Sequence, residues 1–337
     1  MKTYAEAGVD RELRSKAKKH LVELKSTFSL SKYGSIIETP FNNLYPISND
    51  IFHVKTSDSV GTKVLLAQLA GKHDTIGIDG IAMVVNDCIR CGAEPIALTD
   101  TIDVKKSDPE IIEEIQKGLS IGAHEAGCPL IGGEIADVPE IITASYNIIC
   151  DCVGEVEKNK IISGKKIKVG DVIIGLPSSG VHSNGISLLR KTLFKTWGGK
   201  YDTFEKLDNF DRELIYEALE PTKIYVKPFL NAAKRIDILG AVHITGDAYL
   251  KFRKLTNLGF EFDNFKPHPI FNLIRECGVP IEEMFKTFNM GYGFAFIVRK
   301  EDVEDALQLL KDGEIIGKIT DNDLVIKFEG KNILLED

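Results

Sequence analysis

The chain has 337 residues, of which 43% are hydrophobic and 27% charged, with a formal net charge of −8 and a sequence pI near 5.5. This acidic balance argues against a nucleic-acid-binding surface, because binding a polyanion relies on clustered Lys and Arg. No apolar run approaches the roughly 20 residues of a membrane helix, and residues 1–6 lack the apolar region of a signal peptide. We therefore expect a soluble, cytoplasmic protein of two domains, with no membrane or nucleic-acid partner.

The six cysteines are too sparse for a disulfide scaffold. Cys88 and Cys91 form the only C-x-x-C pair, and no second pair or suitably spaced histidines accompany them. Because they fall at positions i and i+3 of a helical pattern, we interpret them as buried thiols.

The first half of the chain alternates helix-like and strand-like segments. Helical spacing over residues 11–25 gives way to a Ser-, Gly-, Asn- and Pro-containing stretch at 28–45, which we interpret as a loop. The alternating run 52–56 predicts a strand, and helical spacing resumes at 64–69. Asp58 is therefore expected at the end of a strand.

Asp79 and Asp100 are also expected at the boundaries of predicted elements. Asp79 is predicted to open a helical run over 81–89, and the apolar run 95–99 predicts a buried strand that leads to Asp100.

The pattern repeats further along the chain. An amphipathic helix is predicted over 109–126, closed by Gly127, and a short apolar strand then leads into Gly132, Gly133 and Glu134. Another predicted strand therefore ends in a carboxylate.

A long β-branched stretch at 141–156 predicts a strand, and the polar, Lys-rich stretch at 159–170 is the predicted domain boundary. We expect an N-terminal domain at 1–165 and a C-terminal domain at 166–337. The second is also of the α/β class. Its predicted strands lie at 171–176, 241–246 and 294–298, its helices at 186–194 and 301–310, and a hairpin at 324–335.

Four carboxylates lie in the first domain, namely Asp58, Asp79, Asp87 and Glu134, and three of them are near predicted strand ends or helix starts. Such positions meet at one edge of an α/β sheet, and carboxylate oxygens are the ligands that Mg²⁺ prefers. Position alone favours solvated surface charge, because a chain with 50 acidic residues places some of them at element ends.

The segment around Asp58 shifts this balance toward a phosphate site. Residues 57–63 read Ser-Asp-Ser-Val-Gly-Thr-Lys and place hydroxyls, backbone N–H groups and one ammonium beside the carboxylate. Neither a Walker A motif nor a dinucleotide fingerprint occurs, so a nucleotide site here requires another fold.

Two histidines are candidate functional residues. His182 lies in a Ser-Ser-Gly-Val-His-Ser-Asn-Gly turn, which favours a functional role, because turns bring polar groups to ligands. For His243, between Val242 and Ile244, a functional role and a core hydrogen bond stay equally open.

These segments together resemble the phosphoribosylformylglycinamidine cyclo-ligase (AIR synthetase) family. The resemblance is carried by residues 4–10, 57–63, 73–79, 85–87, 92–95, 132–139, 178–185, 220–225 and 287–293. It spans nearly the whole chain. Related kinases and synthetases share the Asp and Gly-Gly-Glu positions but not the His182 turn or the segment Phe288-Asn289-Met290-Gly291.

The resemblance implies a homodimer in which the N-terminal domains contribute strands to a shared β-barrel and a C-terminal α/β domain closes over the nucleotide site. It also implies an enzyme of de novo purine biosynthesis. ATP phosphorylates the formyl amide oxygen of formylglycinamidine ribonucleotide, and ring closure gives 5-aminoimidazole ribonucleotide, ADP and phosphate.

Residue roles follow from the same resemblance. Asp58, Asp87 and Glu134 are expected to hold Mg²⁺, and the implied catalytic residues are His182, Asp58 and Lys63. The implied nucleotide- and substrate-binding residues are Ser59, Gly61, Thr62, Lys63, Asp79, Asn86, Gly132, Gly133, Ser183 and Asn184.

The chain departs from the family pattern in two places. Residues 31–35 are poorer in glycine than the usual flexible lid, and Asp247 follows Thr245-Gly246 where many members have a further glycine. A carboxylate there would repel a substrate phosphate.

Two alternatives remain at this point. One is a related ATP-dependent enzyme, such as a thiamine-phosphate kinase, a selenophosphate synthetase or a hydrogenase-maturation dehydratase. The reactive N-terminal or C-terminal cysteine expected of the last two is missing, because the first Cys is Cys88 and the chain ends Leu-Glu-Asp. The other is a non-catalytic nucleotide-binding protein, which the four retained carboxylates disfavour.

Overall fold

The computed structural model describes residues 3–336 and contains two mixed β-sheets, each packed against helices. The first part of the chain folds, in order, as α1 Arg11–Lys18, a 3-10 helix Lys19–Leu30, β1 Ile37–Glu38, β2 Asn43–Pro46, β3 Ile51–Ser59, α2 Val64–Ala70, α3 Asp74–Ile89, β4 Glu94–Val104, α4 Pro109–Ala126, β5 Leu130–Asp137 and β6 Tyr146–Glu157. Its six strands follow the order β1-β2-β3-β6-β4-β5, and only β4 and β5 are parallel.

The second part is built around a seven-stranded sheet of order β13-β12-β9-β11-β7-β10-β8. Its elements are β7 Val172–Pro177, α5 Ile186–Leu193, α6 Leu214–Ala218, α7 Val226–Ala233, β8 Gly240–His243, a 3-10 helix Ala248–Lys254, β9 Gly259–Phe262, α8 Pro269–Glu276, α9 Ile281–Thr287, β10 Tyr292–Val298, α10 Val303–Leu309, β11 Glu314–Thr320, β12 Leu324–Phe328 and β13 Lys331–Leu334. The two-domain α/β architecture expected from the sequence is confirmed, whereas the boundary at residue 165 stays a prediction.

One face of the first sheet is covered and the other is half-open. Along β6 the side chains alternate between buried residues such as Ile148 and Cys150 and partly exposed ones such as Ile149 and Asp151. The buried face packs on α3, and α3 packs in turn on α4. These helices approach closely because Gly118 lacks a side chain, and a Cβ there would lie 1.8 Å from the Asp74 carbonyl oxygen.

The second sheet has an apolar interior. Every residue of β10 is buried, and the ring centroid of Phe294 on this strand lies 4.9 Å from that of Phe229. Crossing a membrane needs a longer and more apolar helix than any found among residues 3–336.

Several predicted boundaries were wrong. The segment 28–45 is not only loop, because β1 and much of β2 lie within it. Asp79 lies inside α3, and Asp100 and Glu134 lie inside β4 and β5. Strands β4 and β5 extend further than local sequence indicates, because β4 pairs with β6 as far as Val104 and β5 pairs with β4 from Leu130 to Asp137.

Candidate active site

A cavity of ≈ 450 Å³ lies between the two sheets and beneath α1. It is lined by basic residues Arg14, Lys18, Arg90, Lys251 and Lys254, acidic residues Asp58, Asp87 and Asp247, and by Tyr4, Pro40, Phe41, Asn184, Thr245 and Gly246. Five cationic side chains therefore face three carboxylates. Such an excess of positive charge in a concave site suits a phosphate-bearing ligand.

Asp58 and Asp87 meet at one wall of this cavity. Asp58 is near the end of β3, and its Oδ1 accepts a hydrogen bond from the Ser59 backbone at 2.8 Å. Burial raises the pKa of Asp58, and the neighbouring Asp87 carboxylate raises it further. The two carboxylates therefore repel each other, which a divalent cation placed between them would relieve.

Asp87 is the better-supported carboxylate of the pair. Its Oδ1 accepts hydrogen bonds from Arg90 and from His243 Nδ1, each at 2.9 Å. Burial alone would raise the pKa of Asp87, but Arg90 and His243 outweigh it and hold that pKa well below its usual range. Both bonds end on Oδ1, which leaves Oδ2 for a ligand.

His243 lies on the buried strand β8 and is 0% exposed. Burial lowers the pKa of His243, although the hydrogen bond to Asp87 opposes this. Its hydrogen bond to Asp87 orients the carboxylate. The sequence left a functional role and a core hydrogen bond open for His243, and the structure shows a core hydrogen bond that shapes the site.

The basic wall comes mainly from residues that the sequence did not single out. Arg90 Nε donates to Asn42 at 3.1 Å, and the guanidinium carbon lies 4.7 Å from the centre of the Phe41 ring. Lys251 donates to the His243 carbonyl at 3.3 Å and to the Thr245 hydroxyl. Lys251 and Lys254 are three residues apart on one 3-10 helix, and this spacing is the only local signal that could have identified them.

Lys63 and Asp79 are not placed at this cavity. Both side chains are 0% exposed, and Lys63 Nζ lies 2.8 Å from Asp79 Oδ2 and 2.7 Å from the Glu220 carbonyl oxygen. Asp79 Oδ1 also accepts hydrogen bonds from the backbone and hydroxyl of Thr222, at 2.7 and 2.6 Å. This buried ion pair joins the first domain to the second.

Asn86 has a similar joining role. It is fully buried, donates to the Lys223 carbonyl and accepts from the Tyr225 backbone, each at 2.9 Å. Both ends of its amide are therefore occupied by protein.

The His182 turn divides between the core and the cavity. Asn184 lines the cavity and accepts from Gly246 N at 2.9 Å, and the Ser183 hydroxyl lies 3.1 Å from that of Thr222. His182 itself is 1% exposed, and its Nε2 accepts from Ser179 N at 3.2 Å. Burial holds the pKa of His182 well below its usual value, with further lowering by His243, so the ring is neutral.

Glu134 lies on the other side of the first sheet. The register places Asp58, Cys150, Asp100 and Gly133 in one row across β3, β6, β4 and β5, and Ser59, Ile149, Thr101 and Glu134 in the next. Because alternate residues of a strand point to opposite faces, Glu134 lies on the half-open face, opposite Asp58. Within residues 3–336, no group of three or more His, Cys, Asp or Glu side chains is arranged so that it could hold a metal ion.

Gly132, Gly133, Gly61 and Thr62 also lie away from the cavity. A Cβ on Gly133 would lie 2.4 Å from Asp100 Oδ1, so this glycine makes room for Asp100. Gly61 and Thr62 line a shallow cleft of ≈ 330 Å³ together with Thr143 and Asn147.

Comparison with known proteins identifies the family. Residues 43–156 match the model of the AIR synthase related protein N-terminal domain, and residues 168–328 match that of the C-terminal domain. The chain is 46% identical to the phosphoribosylformylglycinamidine cyclo-ligase of Pyrococcus furiosus over 92% of each chain. It is 40% identical to that of Methanocaldococcus jannaschii over 100% of both.

The chain belongs to the phosphoribosylformylglycinamidine cyclo-ligase family.

Solved structures with much lower identity share the fold. Thiamine monophosphate kinase from Aquifex aeolicus superposes with a TM-score of 0.62 at 16% identity, covering 93% of this chain and 97% of that chain. The hydrogenase maturation protein HypE from E. coli gives 0.59 at 14% identity, with 85% of each chain covered. These are two of the alternatives weighed from the sequence, and identities of 40–46% over 92–100% of the chain place it with the cyclo-ligases instead.

Proposed function

We propose that this chain converts formylglycinamidine ribonucleotide and ATP into 5-aminoimidazole ribonucleotide, ADP and phosphate. The observation that carries the proposal is the strongly basic cavity that also holds two adjacent carboxylates, in a chain similar to cyclo-ligases over its full length. The five cations suit the 5′-phosphate of the ribonucleotide, and the carboxylates suit a metal ion that accompanies the phosphates of ATP.

The chemistry explains why ATP is required. The formyl amide oxygen is a poor leaving group, and phosphorylation converts it into phosphate. An amidine nitrogen can then attack the same carbon and close the five-membered ring. Most of the work of the protein in such a reaction is to position the reactants and stabilise developing negative charge.

We propose that Asp58 and Asp87 hold Mg²⁺, because each keeps one carboxylate oxygen outside its internal hydrogen bonds and the two carboxylates repel each other. When bound, the ion would neutralise phosphate charge. Arg90 and His243 hold the carboxylate of Asp87 in place, and Asn184 keeps the Gly246 turn against the cavity.

We propose that ATP contacts the half-open face of the first sheet. Ser59 and Glu134 lie in one row on that face, and Gly61 and Thr62 follow at the end of β3. Because Glu134 lies on the face opposite Asp58, it would bind a separate metal ion there, and the ATP phosphates would reach past the end of β3 to the ion held by Asp58 and Asp87. Buried as they are, Lys63, Asp79, Asn86 and His182 would act on the site by holding the two domains and the 178–185 turn in position.

The direct test is to incubate the purified protein with formylglycinamidine ribonucleotide, ATP and Mg²⁺ and to measure aminoimidazole ribonucleotide by diazo coupling. We expect product only when all three are present. A parallel reaction with thiamine monophosphate tests the kinase alternative. Absence of substrate-dependent product would remove the proposal, and ATP binding without any turnover would favour the non-catalytic alternative.

The lowered pKa of Lys251 leads us to expect that the affinity for substrate depends on pH. Burial lowers the pKa of Lys251 to about 8, against the opposing attraction of Asp87. Below pH 8 the ammonium is charged and can bind phosphate, and at pH 9 only about one molecule in ten keeps that charge. We expect the KM for formylglycinamidine ribonucleotide to rise by up to about tenfold between pH 7 and 9.

Arginine is the matched control at this position, because its side chain stays protonated throughout this range. Lys251→Arg should therefore flatten the rise in KM, and Lys251→Met should give a high KM at every pH. An unchanged pH profile in Lys251→Arg would assign the dependence to another group.

We also propose a homodimer formed through the half-open face and edge of the first sheet. The edge strand β5 exposes Ile131 at 69% and Ile135 at 39%, and Ile141 after it is 79% exposed. An exposed apolar edge strand is a ready surface for pairing, and natural proteins usually cover such edges. The barrel expected from the family would cover it with the same strand of a second copy.

Ile131→Asp should convert the dimer to monomer, as measured by light scattering after size-exclusion chromatography. Leu334→Asp is the matched control, because Leu334 is a 46% exposed apolar residue on β13, the edge strand of the other sheet. A dimer that survives Ile131→Asp, or one lost in Leu334→Asp, would place the interface elsewhere.

A further inference from the structure

Asp247 is a carboxylate at the mouth of the cavity, at a position where its backbone favours glycine. It lies between β8 and the 3-10 helix Ala248–Lys254, with φ 67° and ψ 1°. This left-handed conformation is uncommon for residues other than Gly, although Asp and Asn tolerate it. An isolated negative charge at Asp247 would oppose binding of a phosphate. The effect of Asp247 on phosphate binding therefore depends on the residues that contact its carboxylate.

Two arginines of α1 neutralise Asp247. Arg11 Nε lies 3.7 Å from Asp247 Oδ1, and Arg14 Nη2 lies 3.7 Å from Oδ2. The two arginines are three residues apart and so lie on the same side of the helix. Asp247 thereby connects the N-terminal helix to the turn that borders the cavity.

Arg11 has a second anchor away from the cavity. Its guanidinium donates to Glu283 Oε1 at 3.0 Å, to the Lys286 carbonyl at 2.9 Å and to the Thr287 hydroxyl. Arg11 is therefore held on α9 whether or not Asp247 is present.

Arg14 is oriented toward the cavity. It lines the cavity, and a Cβ added to Gly246 would lie 3.4 Å from its Nη2. In the described part of the chain, the ion pair with Asp247 is the charged contact that holds this guanidinium beside the turn. Without it, a side chain that is 44% exposed is free to turn toward solvent.

We propose that Asp247 is a positioning residue that holds the Arg14 side chain over the cavity, so that the Arg14 guanidinium binds the phosphate of the ribonucleotide substrate. The proposal rests on the proposed function for the identity of that substrate. It accounts for a carboxylate in a turn beside a phosphate site, because the charge of Asp247 is directed to the arginines and the arginine supplies the phosphate contact.

Kinetics separate positioning from repulsion. We expect Asp247→Asn to raise the KM for formylglycinamidine ribonucleotide by about 3- to 10-fold with kcat changed less than twofold, because a charge-assisted contact to the bound substrate weakens. Arg14→Met should raise KM at least as much. The double variant should match Arg14→Met alone, because Asp247 acts through that residue.

Glu12→Gln is the matched control. Glu12 forms an exposed ion pair with Lys16 on the same helix, at side-chain exposures of 78% and 62%, and neither residue lines the cavity. This variant should keep the wild-type KM.

Trypsin provides a second measurement that does not depend on turnover, because Lys16 is a cleavage site on α1 that does not line the cavity. Inorganic phosphate should slow cleavage there in the wild-type protein, and Asp247→Asn should reduce this protection several-fold. A lower KM in Asp247→Asn, additive effects in the double variant, or unchanged phosphate protection would each overturn the proposal. If the wild-type protein shows no turnover, the proposed function fails, and the trypsin result alone decides the role of Asp247.

Discussion

Asp58→Asn is expected to reduce kcat by about 100-fold or more, because it removes one of two carboxylates proposed to hold Mg²⁺ where phosphate charge develops. The amide keeps the size of the side chain and can still accept a hydrogen bond from the Ser59 backbone. The loss should therefore report on charge and metal binding rather than on packing.

The fold should tolerate this substitution well. Burial and Asp87 raise the pKa of Asp58 above its usual value. The ionised side chain therefore costs the folded state free energy once the pH exceeds the pKa of a free carboxyl group. At neutral pH the asparagine variant should melt at the same temperature as the wild-type protein or higher. The increase should disappear as the pH falls and Asp58 becomes protonated.

Asp237→Asn serves as the matched control. Asp237 is a 58% exposed carboxylate paired with Lys166 at 3.1 Å, and the variant should keep wild-type kcat and metal dependence. If Asp58→Asn retained kcat within threefold of wild type, the metal ligands would have to lie elsewhere. If it lost activity and also melted much earlier, Asp58 would be a structural residue.

The features that the sequence predicted well are those written in local signals. The helix α4 was predicted at its observed bounds, because Asp108 caps it by accepting from the Glu110 and Ile111 backbones and Gly127 ends it at φ 72°. Cap and stop signals of this kind act within a few residues and need no partner. The apolar strands of the second domain were also placed from sequence, because a short continuous apolar run is itself a local signal.

The site was predicted less completely, because its geometry depends on sheet register and on contacts between domains. Asp58 and Asp87 do share a wall of the cavity, but Glu134 lies one row along and on the opposite face. No local pattern distinguishes these cases. A shift of one residue in a strand moves a side chain from one face of the sheet to the other.

Residues that join the domains were equally hard to recognise from sequence. A lysine beside a Gly-Thr turn is typical of a phosphate site, yet Lys63 is fully buried against Asp79, and His182 in a polar turn is buried beside Tyr225. Arg90 and Lys251 were missed for the converse reason. Arg90 follows the end of α3 and Lys251 lies on a 3-10 helix, and apart from the spacing of Lys251 and Lys254 nothing in the local sequence shows that folding brings them to one cavity.

Lys63→Met is expected to destabilise the folded protein by about 3–5 kcal/mol, because it leaves the Asp79 carboxylate buried without its cation. Both side chains are 0% exposed, so water cannot take the place of the ammonium. The Thr222 backbone and hydroxyl would still donate to Asp79, and the loss of the bond from Lys63 to the Glu220 carbonyl would loosen the contact between the domains. Urea unfolding at neutral pH measures the effect.

Two further variants separate a structural role for Lys63 from a direct role in catalysis. Lys63→Met/Asp79→Asn removes both charges and should recover part of the lost stability, because no buried charge is left unpaired. Lys160→Met removes a lysine from an exposed pair with Glu157 and should cost less than about 1 kcal/mol. A joining role predicts that the double variant, once folded, regains much of the wild-type kcat. A direct contact with the transferred phosphoryl group predicts that kcat stays low however stable the variant is, since the missing ammonium is then part of the reaction itself.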